Sequence, residues 1–155
     1  MSPATTVRAA SESDIAFLVD CNAAMALETE HKVLDREVLT RGTSTVFAEP
    51  QRGFYRIAER DGMPVGCLMV SYEWSDWRNG DWWWIQSVYV TPQARRSGVF
   101  SALYADLEKQ ARGTSGVVGL RLYVEKENRN AQATYQALGM NDSGYRLLEA
   151  GFVEL

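Results

Sequence analysis

The stretch from Trp82 to Ala111 constrains the fold more than any other part of the sequence. WWWIQSVYV, at residues 82–90, is the most aromatic and β-branched run in the chain and reads as a central strand. TPQARRSG then breaks it, and VFSALYADLEKQA follows with Val99, Leu103, Leu107 and Ala111 four apart, which is one face of a helix. A strand handing over to a helix through a basic, glycine-containing loop aims backbone N–H groups and the positive end of the helix dipole outward together. Such a loop can take an anion: Gly98 permits close approach to the main chain, and Arg95 and Arg96 can pair with a diphosphate. The same residues also suit a solvated basic helix start, and locally the two readings stand level.

The rest of the chain fits a mixed α/β domain. Val7–Ala10 reads as a strand, and SESD supplies capping residues for a helix carrying Ile15, Leu18, Val19, Ala23 and Ala26 at helical spacing. A second helix is expected from Asp35 to about Val46, ending before Pro50. Phe54–Glu59 and Val65–Glu73 flank an Asp61-Gly62 turn and read as a hairpin, and SDWRNGD turns the chain into the aromatic strand. Val117–Val124 gives another strand. Asn128 caps a helix to about Leu138 that Gly139 stops, and Tyr145–Val153 read as one or two final strands. A central mixed, twisted sheet of about six to seven strands flanked by about four helices is therefore expected, in one domain over residues 1–155.

Composition narrows the function. At 155 residues and 46% hydrophobic content the chain can bury a core without disulfides or metal, and a net charge of -4 argues against nucleic acid or anionic membranes as partners. Cys21 and Cys67, with His31 as the sole histidine, are too few for a zinc site, so no metal is expected, and both thiols read as buried and reduced. The sequence shows neither a leader-like start nor an apolar stretch of membrane-spanning length, so it reads as cytoplasmic.

TPQARRSGVFSALY resembles the acyl-CoA-binding motif of the GNAT superfamily, Q/R-x-x-G-x-G/A, with Arg95 and Gly98 at its first two fixed positions and Phe100 where the family usually has a small residue. ENRNAQATYQALGM resembles the family's last signature, with Asn128, Tyr135 and Gly139 in its places. Together the two motifs and the element order span nearly the whole chain. The resemblance implies the GNAT fold and an acetyl-CoA cosubstrate. It also implies a diphosphate cradle at Arg95, Arg96, Ser97, Gly98, Val99, Phe100 and Ser101, and pairing of the pantetheine arm with Val88, Tyr89 and Val90. Asn128 can cap its helix and also offer an amide to the cofactor. A phenol near pKa ~10 at Tyr135 can protonate a departing thiolate, although a lone Tyr on an amphipathic helix more often packs.

The resemblance implies transfer to an amine, which must be neutral to attack, so a proton acceptor is needed. Trp84 stands where many members carry a Glu, and Gln86 on the same face can only orient substrate or water. Glu73 is the preferred base if Trp82 and Trp84 bury it, and a solvated strand-end charge otherwise. Glu28, in the segment expected to close over the acceptor, can recognise a cationic amine, though a charge at a helix end is more often solvated. Trp74, Trp77, Trp82, Trp83 and Trp84 can form an aromatic wall or a dimer interface, with Trp83 facing away from Trp82 and Trp84. The expected activity is N-acetylation of a primary amine in a ternary complex, with an acyl-CoA sensor that no longer transfers as the alternative. A protein N-terminus or lysine as acceptor would need an open groove, and a homodimer is expected by analogy.

Overall fold

The two-residue turn Asp61-Gly62 has φ of 51° and 74°, the left-handed pair that a tight hairpin needs, and it sets the register of the sheet. In the computed structural model, which describes residues 4–154, strand β2 (Gly53–Arg60) enters this turn and β3 (Met63–Ser75) leaves it. Strand β1 (Thr6–Ala9) pairs antiparallel with β2, and β4 (Gly80–Val90) pairs antiparallel with β3. Strand β5 (Val117–Leu122) lies parallel to β4, a connection that needs a crossover, and helix α3 (Val99–Arg112) supplies it. The sheet order is β1-β2-β3-β4-β5.

Helices α1 (Ile15–Glu30) and α2 (Arg36–Ala48) cover one face. Leu18, Cys21 and Val46 pack there on Tyr55, Ile57, Cys67 and Tyr89, all nearly inaccessible. Alternation along the strands turns Arg56, Gly66, Leu68 and Ile85 to the other face, where α3 lies. A Cβ on Gly66 would meet Val99 Cγ1 at 2.9 Å, so glycine lets α3 sit close on β3. Asp35 starts α2 by accepting from the N–H groups of Glu37 and Val38. His31 ends α1 in the left-handed region, at φ 55°.

The described chain divides into two compact units, Met1–Leu122 and Tyr123–Leu155. The second holds helix α4 (Arg129–Ala137), closed by a bond from Met140 N–H to Tyr135 O at 3.0 Å around Gly139 at φ 95°. The strands expected over Tyr145–Val153 do not form, so the sheet has five strands among the described residues rather than six to seven. A lone strand has no ladder to satisfy its backbone. Tyr145, Leu147, Leu148, Phe152 and Val153 are accordingly exposed, between 61% and 97%. Strand β5 also stops at Leu122, two residues earlier than the sequence suggests.

The start of the sheet is fastened to α1 by a buried carboxylate. Arg8 donates from both terminal nitrogens to Asp14, at 2.7 and 2.9 Å, and Ser11 N–H donates to Asp14 at 2.8 Å. These bonds, led by Arg8, hold the Asp14 carboxyl below its ordinary pKa. A depressed carboxylate adds stability above the ordinary range, near pH ~4, and loses it as pH falls through the folded-state value. Asp14→Asn is therefore expected to cost about 2 kcal/mol in urea unfolding at pH 7. The gap between wild type and variant should narrow as the pH is taken below the ordinary carboxylate range.

Candidate active site

Strand β4 parts from β5 near its C-terminal end and carries a bulge against β3 there. Its pairing with β5 runs only from Asp81 to Ile85. On the other side the register jumps from Met69↔Gln86 to Cys67↔Tyr89, so Ser87 and Val88 have no partner on β3. Ser87 sits at φ 53°, in the left-handed region, as the extra residue of a bulge does. The backbone of β4 beyond Ile85 therefore has no pairing on the β5 side, while Tyr89 and Val90 stay level with Cys67 and Gly66 on β3.

The chain then turns into the basic loop. Arg96 at φ 62° and Gly98 at φ 85° bracket Ser97, and Gly98 caps α3 without a side chain. The first helical bond runs from Ala102 N–H to Gly98 O, so the first turn of α3 begins at Val99. No atom lies within 4 Å of where a Gly98 Cβ would sit, leaving open space against the main chain. Phe100 lies against Tyr104 with ring centroids 6.2 Å apart, so its ring packs along the helix. These features fit the diphosphate of an acyl-CoA: a helix N-terminus, open space at glycine and two exposed arginines.

Two arginine contacts fix the loop, and only one of these arginines is legible as a motif residue. Arg60, at the end of β2, donates to Ser97 Oγ at 2.7 Å, to Ser97 O at 2.6 Å and to Thr5 Oγ1 at 2.9 Å. It lies just past the expected strand end at Glu59, and no local pattern marks it. Arg95 donates from Nε to Val90 O at 3.0 Å and from Nη2 to Glu28 Oε2 at 2.8 Å. Tyr89 donates to Glu28 Oε1 at 3.1 Å. Burial, then the Glu28 bond, raise the Tyr89 phenol, which keeps its proton. Glu28 thus faces the basic loop rather than standing as a free carboxylate.

On the α1 face of β4 lie Trp82, Trp84 and Gln86, and Gln86 Nε2 bonds Ser71 Oγ. Trp83 turns to the other face, edge-on to Phe54 with centroids 5.2 Å apart, as alternation predicts. Trp74 and Trp77 are exposed and build no wall. The expectation that Trp82 and Trp84 bury Glu73 fails. Its carboxylate is half exposed and bonded to Arg121 on β5, whose guanidinium carbon lies 3.8 Å from the Trp82 ring centroid. Glu73 is level with Trp82, six residues from Val88, or roughly 20 Å along the strand. It cannot touch a group held at Val88. Arg121 escapes a sequence reading because only the parallel register brings it level with Trp84.

In the second unit Asn128 Oδ1 accepts from Ala131 N–H at 3.1 Å, an ordinary N-cap that leaves its amide nitrogen for another acceptor. Tyr135 lies two turns on, and burial raises its phenol above the ordinary value. Cys21 and Cys67 are free and buried, and the Cys21 side chain together with burial pushes the Cys67 thiol well up, so it is no nucleophile at neutral pH. Among the described residues no cluster of His, Cys, Asp or Glu is placed to hold a metal ion, and no helix is long and apolar enough to cross a membrane.

Several solved structures share this architecture. A possible acetyltransferase from Clostridium difficile 630 is 39% identical, with 97% of this chain and 99% of that one covered and a TM-score of 0.90. A predicted acetyltransferase with acetyl-CoA from Clostridium acetobutylicum is 19% identical, with 95% and 96% covered and a TM-score of 0.75. Glucosamine-6-phosphate N-acetyltransferase from Arabidopsis thaliana is 16% identical, with 95% and 98% covered and a TM-score of 0.73. The last two establish likeness of fold alone. No curated protein matches. The model of the acetyltransferase (GNAT) family matches residues 21–140, across both units and both signature motifs, and the chain belongs to that family.

Proposed function

We propose that the chain is an acetyl-CoA-dependent N-acetyltransferase, a single domain over residues 1–155, acting on a primary amine of a small molecule by direct attack in a ternary complex. The end of β4 at Ser87–Val90, left unpaired on its β5 side and beside the glycine-started α3, carries this reading. When bound, acetyl-CoA supplies the acetyl group as an activated thioester. Val88 N–H donates to the position of the thioester oxygen, where negative charge develops as the amine attacks. The backbone of Val88–Val90 pairs with the pantetheine amides as an added strand does. Arg95, Arg96 and the N–H groups of Val99, Phe100 and Ser101 hold the diphosphate, with the Asn128 amide as a further donor.

The amine approaches over the face of Trp84 and Gln86, and the Gln86 carbonyl oxygen accepts one of its hydrogens. Glu73 is too far along the sheet to take the amine's proton directly, so the proton leaves through water. Tyr135 donates its proton to the departing sulfur, a role that its raised pKa suits because the phenol stays protonated beyond pH ~10. Two free, buried thiols suit a reducing, cytoplasmic setting. The exposed apolar residues of 145–153 favour a homodimer, which light scattering would register as twice the 17.4 kDa chain mass.

The first test is calorimetric titration with acetyl-CoA. Gly98→Glu places a side chain and a negative charge in the cradle and is expected to abolish binding while leaving the fold intact by circular dichroism. Tyr135→Phe should keep acetyl-CoA affinity and lower turnover with an amine by about 10²-fold or more, read as thiol release. A wild type that binds acetyl-CoA but releases no thiol with any amine would assign the chain to the sensor class instead. The paired state of Glu73 and the tryptophan at position 84 are the features that favour that second reading.

A further inference from the structure

Arg95 is held on three sides within the first unit. Its Nε bonds the end of its own strand at Val90 O, its Nη2 bonds Glu28 on α1, and its guanidinium carbon stands 5.2 Å from the centre of the Tyr89 ring. Tyr89 closes the circuit by donating to the second oxygen of the same carboxylate. Nη1 has no hydrogen-bond partner among the described residues, so one edge of the planar fork is left open. An arginine that is free to rotate must lose that freedom when it binds a phosphate, whereas one already fixed in direction does not.

We infer that Glu28 is a positioning residue for the acyl donor: through Arg95, and with Tyr89 as its own anchor, it fixes a guanidinium edge for the donor's diphosphate. The inference rests on the acetyl-CoA reading above and departs from the sequence expectation that Glu28 recognises the acceptor amine. Both oxygens of the carboxylate are used within the circuit, one by Tyr89 and one by Arg95. Its position at the C-terminal end of α1 means that the helix next to the acceptor face and the loop that takes the diphosphate are joined by one side chain.

The opposite effect has the same starting geometry. Glu28 could compete with phosphate for Arg95, and its removal would then tighten donor binding rather than weaken it.

A double-mutant cycle on acetyl-CoA affinity decides between them, using wild type, Glu28→Gln, Arg95→Ala and the pair. If Glu28 acts through Arg95, Glu28→Gln weakens acetyl-CoA binding about threefold to fivefold, and the effect disappears in the Arg95→Ala background. Tyr89→Phe, which deletes only the hydroxyl, should weaken binding in the same direction by less. Tighter binding in Glu28→Gln, no change, or a loss undiminished by Arg95→Ala would overturn the inference while leaving the cofactor assignment standing. Failure of the wild type to bind acetyl-CoA would remove that assignment and the inference together.

Discussion

A strand end left open on one side is the condition on which the rest of this structure turns. Buried or half-buried N–H and C=O groups must be satisfied by something, and beyond Ile85 strand β5 no longer does it, while on the β3 side Ser87 and Val88 fall outside the regular register. The bulge interrupts the β3 side at Ser87 and Val88, and the divergence of β5 removes the other. The aromatic run before it, Trp82 to Ile85, pairs on both sides and keeps β4 central, so a rigid strand ends in a few residues of open ladder. The loop and helix that follow repeat the pattern in another form, with N–H groups at the start of α3 that no side chain caps. An extended, amide-bearing chain ending in a diphosphate answers both needs along one line.

Arginine contacts tie together the segments around that opening. Arg60 ties the loop to β2 and to Thr5, Arg95 ties it to α1, and Arg121 ties β5 to the end of β3. Each arginine uses a planar fork to reach two partners at once, which a lysine could not do with the same direction. The helix faces, by contrast, are conventional: Leu18, Ile57, Leu68, Leu103 and Leu107 are wholly inaccessible and account for how α1 and α3 sit on opposite sides of the sheet.

Local signals in the sequence carried most of the fold. Asp61-Gly62 announced its turn, Ser11 to Asp14 and Asp35 announced helix starts, and Val99, Leu103 and Leu107 announced the buried face of α3. The basic loop between β4 and α3 was legible because its residues are contiguous. What stayed hidden depends on contacts between distant segments. The ion pair of Glu73 with Arg121 spans 48 positions, and Arg60 meets Ser97 across 37. Tyr145–Val153 misled for the opposite reason: its apolar residues have strand chemistry, but pairing needs a neighbour that composition does not reveal.

The two cysteines have a practical consequence. Cys21 is 3% exposed and Cys67 wholly buried, and neither lies in the loop, the splay or the helix start. A thiol-reactive dye added to the folded chain therefore meets almost no protein sulfur. Slow labelling of Cys67 instead reports the opening of α1 from the sheet, so the same reagent that counts released coenzyme thiol on the scale of turnover can, over hours, time the breathing of the fold.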